Sequence, residues 1–275
     1  MVTNLGKESI MSKIVHFGER FEREYLCKEY LNTKNVDIEQ LEENWWEALK
    51  FFLTRTFYQG RRDDVSVRVE KNSFEVLGKY FDDPLEREKN FQFLKDSSWS
   101  QLRADLQAVI GKGKVGCERD IDMIVDTLEF ISRFPDKNIT RYSVQMIKNN
   151  KLDQLWFRLQ KTKSKEGIKS VGKKIASLYL RDLVTILGLE QKVSNDHQIF
   201  LQPIDTWVRQ IIEKIGIEET KNEMKLRRMI TDRCARVGQS TIRFNEGAWY
   251  IGSHSLEILL ELLMKHKQVI KRTYD

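Results

Sequence analysis

Apolar residues recur at helical spacing along most of the chain. In "DIEQLEENWWEALKFFLTRTFYQG", Leu41, Trp45, Leu49, Phe52 and Leu53 fall on one face, which predicts a helix. Asp37 is placed to cap it, with Gln40 as its capping-box partner and Gly60 as its stop. Ile121, Ile124, Val125, Leu128 and Ile131 mark a second helix from about Cys117 to Phe134, with Pro135 behind it. "ITRYSVQMIKNN" and "LDQLWFRLQK" read as two shorter helices. Another runs from near Gly172 to Gly188, and "DTWVRQIIEKIG" from Asp205 to Gly216. "ETKNEMKLRRMITDRCARVG" and "SHSLEILLELLMKHKQVIKR" complete the set. Strand-like alternation is confined to "DVSVRVE", with Val65, Val67 and Val69 on one side, and that is too short to found a sheet. Only three prolines occur (Pro84, Pro135, Pro203) and helix formers abound, so the predicted class is all-α.

Composition narrows the class further. A chain of 275 residues, 40% hydrophobic and 32% charged, suits one large globular domain or two smaller ones. No apolar run has the length of a membrane span, and the N-terminal thirty residues mix acids with bases and lack an apolar signal core. The expected compartment is the cytoplasm, close to the nucleoid, or the nucleus, with no membrane partner. Cys27, Cys117 and Cys234 are scattered and odd in number, which argues for reduced thiols and against a disulfide framework. His16, His197, His254 and His266 have no ligand-like spacing, which argues against zinc. Three cysteines cannot supply the four thiolates of a typical iron–sulfur cluster. "GKGKVG" (111–116) lacks the strand and the GxxxxGK[ST] spacing of a nucleotide loop and reads as a surface turn.

Charge is unevenly spread. The net charge is +6, from 47 Lys and Arg against 41 Asp and Glu. Arg158 to Lys174, "RLQKTKSKEGIKSVGKK", holds seven bases and one acid, an excess equal to that of the whole chain. A basic cluster at a helix start attracts a phosphate backbone; the plain alternative is a solvated loop.

"IKSVGKKIAS" has the form of a hairpin between helices. Ile168 and Val171 are apolar, Gly172 makes the turn, and Lys173 opens a new helix. Unpaired N–H groups at that helix start, with the positive end of the helix dipole, suit an anion. Downstream, Pro203 precedes Asp205, which is placed to cap the next helix. Together "SVGKKIAS…QPIDTWV" resembles the helix-hairpin-helix DNA glycosylases, the superfamily of endonuclease III and the 8-oxoguanine glycosylases. Val171 and Gly172 match the family's VG, Lys174 its lysine nucleophile and Ala176 its alanine. Pro203, Ile204, Asp205, Thr206 and Val208 match the second motif, with Asp205 at the catalytic aspartate. Lys169-Ser170 stands where the family has Pro-Gly, and Trp207 where it has histidine. The match covers roughly 40 residues.

The resemblance implies a bifunctional enzyme of base-excision repair, active as a monomer on duplex DNA and needing no cofactor or metal. Lys174 and Asp205 would be catalytic. Ile168, Lys169, Ser170, Val171, Gly172 and Lys173 would bind the DNA backbone. Leu178 and Trp207 would border the flipped base, core packing being the alternative for both, and Gln59 would contact DNA or the lesion unless "YQGRRDD" is a plain surface turn. Oxidised guanine is the favoured substrate, an oxidised pyrimidine the next. The implied architecture is two helical lobes with a DNA cleft between them: residues 64–200 in one, 1–63 with 201–275 in the other. Helical geometry puts Lys174, Ser177, Leu178 and Arg181 on one face, where a guanidinium and partial burial would lower the lysine from its usual pKa of about 10.4. A non-catalytic helix-hairpin-helix DNA binder is the rival reading, and a helical protein-interaction domain the third.

Overall fold

The computed structural model describes residues 4–31, 36–58, 63–81, 87–112, 114–161, 166–217, 220–255 and 258, and among these it is all-helical, without strands. The α-helices are α1 (Asn4–Arg20), α2 (Trp45–Thr56), α3 (Asp63–Phe81), α4 (Arg87–Asp96), α5 (Ser100–Ile110) and α6 (Glu118–Ile131). They continue with α7 (Ile139–Lys148), α8 (Leu152–Leu159), α9 (Lys173–Ile186), α10 (Thr206–Lys214), α11 (Glu223–Arg236) and α12 (Thr241–Ser253). A π-helical stretch, Phe21–Leu31, prolongs α1, and 3₁₀ turns at Glu190–Lys192 and Asn195–Leu201 follow α9. No helix of the described residues is long and apolar enough to cross a membrane.

The chain divides into two compact units, Val36–Pro203 and Met1–Asn35 with Ile204–Asp275. The first boundary therefore lies near residue 35 and not at residue 63. Packing explains the shift. α2 is buried along Ala48–Thr56, and the rings of Phe51 and Phe52 meet Tyr179 of α9 at 5.8 and 4.8 Å. Residues 36–58 thus belong with the central helices.

In the central unit α6 follows its predicted face closely. Ile121, Ile124, Val125, Leu128 and Ile131 are all buried, and Cys117 stands at the N-cap. α9 is buried along most of its length, from Ile175 to Val184. Two expectations change. Asp37 does not cap a helix: its carboxylate accepts Glu39 N–H in a local turn, and Asn44 caps α2 by accepting Trp46 N–H at 2.9 Å. "DVSVRVE" is no strand but the start of α3. Its buried positions, Ser66, Val69, Glu70, Ser73, Val76, Leu77 and Phe81, follow the helical period, and Val67 is exposed. Three of those seven positions are polar, so their period is hidden from an apolar count. Each finds a partner: Ser66 donates to Phe57 O, Ser73 to Val69 O, and Glu70 accepts from Thr54.

The other unit packs α1, α10, α11 and α12 around Met11, Ile14, Val208, Ile212, Leu226, Ile230, Phe244 and Ala248. α1 and α12 touch backbone to backbone. A Cβ on Gly247 would lie 1.8 Å from Ile14 O, and one on Gly18 2.2 Å from Arg243 O. The sequence pattern does not predict α12. It does predict a helix over 253–272, of which only residues 253–255 and 258 fall among those described, Ser253 being the last residue of α12.

Candidate nucleic-acid interface

The hairpin starts where α8 ends. Gln160 is buried and donates its side-chain amide to Trp156 O at 2.6 Å. After residues 162–165, which lie outside the described residues, the chain returns against it. Ile168 N–H donates to Leu159 O at 3.1 Å. A Cβ on Gly167 would lie 2.4 Å from the carbonyl of Gln160, so glycine is required at this approach.

Ile168 and Val171 are buried and pin a tight turn. Val171 N–H donates to Ile168 O at 3.2 Å, and Ser170 has φ 64°. A positive φ at the third position of such a turn is the type II arrangement, which ordinarily selects glycine. Lys169 and Ser170 thus make the turn without a proline or glycine. Three contacts from α6 and its first residues hold it. Lys169 N–H donates to Asp126 Oδ2 at 3.1 Å, Lys169 Nζ pairs with Asp122 Oδ2 at 3.4 Å, and Ser170 Oγ donates to Arg119 O at 3.3 Å. Arg103 binds the other oxygen of Asp122 at 2.8 Å. Burial alone would raise the Asp122 carboxyl, but Arg103 and Lys169 outweigh it and hold it below its usual 3.8.

Gly172 caps α9 with no side chain, and nothing lies within 4 Å of the Cβ it lacks. The first N–H groups of α9 thus open beyond a bare cap, beside exposed Lys173 and half-buried Lys174. Neither lysine pairs with a carboxylate among the described residues. Backbone donors, the helix dipole and two cations together favour an anion at this end.

The basic segment is less uniformly available than its composition implies. Arg158 binds Glu166 at 3.0 Å and donates to Tyr142 Oη, while Lys169 is tied to Asp122. Arg133 also reaches Glu166. Lys163 and Lys165 lie outside the described residues.

The face carrying Lys174 points partly inward. Ser177 is buried and accepts Trp156 Nε1 at 2.9 Å, and Leu178 is half-buried. Arg181 is buried, and its Nε and Nη2 bind Asp182 Oδ1 at 2.8 and 2.7 Å, while the other Asp182 oxygen meets Arg55.

In the other unit Asp205 caps α10, its Oδ1 accepting Val208 N–H at 2.9 Å. Ile204 and Val208 are buried on either side of it, and no cation pairs with it among the described residues. Trp207 is 40% exposed, and its side chain occupies the space a Cβ on Gly252 would need. Gln59, like Arg61 and Arg62, lies outside the described residues.

Sequence reasoning missed Asp122 and Asp126. Their signal is an i, i+4 acidic pair on α6, and Asp126 is only 8% exposed. Among the described residues no group of three or more His, Cys, Asp or Glu gathers as a metal site. Compared with known proteins, the chain matches no family model, no curated protein and no solved structure.

Proposed function

We propose that the protein is a DNA glycosylase and abasic-site lyase that removes an oxidised base, 8-oxoguanine first among the candidates. The observation that carries this reading is the type II turn at Ile168–Val171 running through a bare Gly172 cap into Lys173 and Lys174. Asp205, a cap residue behind Pro203, supports it further.

The hairpin amides and Lys173 take a backbone phosphate. A damaged nucleotide leaves the stack, at a cost of a few kcal/mol that is lowest for a damaged pair. Neutral Lys174 Nζ attacks the sugar C1′. An N–C bond forms, the glycosidic bond breaks, and its electron pair leaves with the base, which takes up a proton. The Asp205 carboxylate stabilises the positive charge that develops on the sugar. The sugar ring opens to a protonated Schiff base, a C2′ proton is lost and the C3′–O bond breaks. Water then releases the lysine. This chemistry calls on no metal.

The test is incision of a labelled duplex carrying 8-oxoguanine, an oxidised pyrimidine or an abasic site. The wild type cuts at the lesion, Lys174→Gln does not, and Asp205→Asn is slowed by at least about 100-fold, the scale on which one transition-state charge contact acts. Intact DNA binding without incision on any substrate would favour the non-catalytic binder instead.

A further inference from the structure

α11 carries a second basic surface, on the other unit from the hairpin. Lys221 to Arg236 holds six cations and two carboxylates, a density close to that of the hairpin segment. Only one of the two carboxylates is committed. Glu223 binds Arg227, which is buried on the core side, at 2.6 Å. Lys225, Arg228, Asp232 and Arg236 lie on one exposed face, with Lys221 at its entrance. The opposite face, Leu226, Ile230 and Cys234, is used in the core. None of the four exposed cations pairs with a carboxylate among the described residues. Arg236 Nε donates instead to the backbone carbonyl of Asp232 at 3.3 Å.

We propose that this stripe is a second contact for the phosphate backbone of duplex DNA, an inference that rests on the function proposed above. Its chemistry selects that partner. From Lys225 to Arg236 the helix rises about 16 Å, a length over which one DNA strand carries roughly five phosphates. A membrane-surface helix would need its apolar face outward, and here that face is buried. Long cationic side chains on a rigid helix offer charge without base-reading groups. The contact therefore adds affinity and salt dependence, not sequence choice.

The test is fluorescence anisotropy of an undamaged duplex with the full-length chain, titrated between 50 and 200 mM salt. The triple variant Lys225→Gln/Arg228→Gln/Arg236→Gln should lower the slope of log K against log salt by about 0.9 per lost contact, near 2.7 in all. Over that range the wild type then loses about 40-fold more of its affinity than the variant. Lys173→Gln, in the hairpin, should lower the slope by about 0.9. Lys225→Arg should leave the slope unchanged, and none of these variants should change the melting temperature. A triple variant with wild-type slope beside a weakened Lys173→Gln overturns the stripe and leaves the proposed function standing. A variant that keeps its DNA affinity but loses binding to anionic vesicles or poly-glutamate also overturns it. A wild type with no salt-dependent DNA binding sinks both.

Discussion

Gly247 and Gly78 are both helical, and the same substitution should have opposite signs at the two. Alanine is favoured over glycine in a helix interior by about 1 kcal/mol. At Gly78, on α3, nothing lies within 4 Å of an added Cβ, so Gly78→Ala should stabilise by up to about that amount. At Gly247 the new carbon would stand 1.8 Å from Ile14 O, 2.8 Å from Ile14 C and 2.9 Å from Gly18 N. All three are backbone atoms of α1, so no side-chain rotation relieves the clash. Ordinary contact requires α1 and α12 to separate by about 1.6 Å, which also loosens Met11 and Ile14 against Phe244 and Ala248. Overpacking of this kind costs about 1–3 kcal/mol and more where backbone must move. After the helix-propensity gain, Gly247→Ala should still lose about 2 kcal/mol. Urea unfolding followed by hydrogen exchange at the amides of α3 and α12 reads each substitution in its own unit. A Gly247→Ala protein as stable as the wild type would refute the backbone contact between α1 and α12.

Asp182→Asn removes the carboxylate shared by buried Arg55 and Arg181, and a loss of about 3–5 kcal/mol is expected by urea unfolding; a loss below about 1 kcal/mol would contradict the buried triad. Burial pushes the Cys234 thiol up to about 12, so alkylation of the native protein should mark exposed Cys117 and reach Cys234 only on unfolding, as mass spectrometry would report. Modification of both at one rate would contradict this. Asp122 has a folded-state pKa below its ordinary 3.8, so its contribution to stability is present above about pH 4 and is lost as pH falls through the lowered value. The stability difference between wild type and Asp122→Asn should therefore be flat above about pH 4 and shrink on further acidification; a difference that grows would contradict the sign.

How much was legible depended on whether the deciding contacts were local. α6, α9 and α10 were readable because their apolar positions, glycine or proline stops and cap residues lie within one or two turns. The hairpin was readable from Ile168, Val171 and Gly172. The turn at Ser170 was not, since a serine enters the left-handed region only when something holds it there. Here the holders, Asp126 and Arg119 O, lie 43 and 51 residues away in the chain. α3 was masked by its buried polar face, and α12 by Gly247 and Gly252, which weaken the helical signal but let neighbours approach. Helical spacing put Arg181 on the face of Lys174, but did not show that its guanidinium binds the adjacent Asp182.

Borohydride trapping tests the central claim most directly. The protein is incubated with a duplex carrying 8-oxoguanine and with an abasic duplex, the adduct is reduced, and the cross-linked peptide is identified by mass spectrometry. A covalent adduct on Lys174 with both duplexes, absent in Lys174→Gln, is the predicted result. An adduct on another amine, or none on either duplex while DNA binding persists, would contradict it.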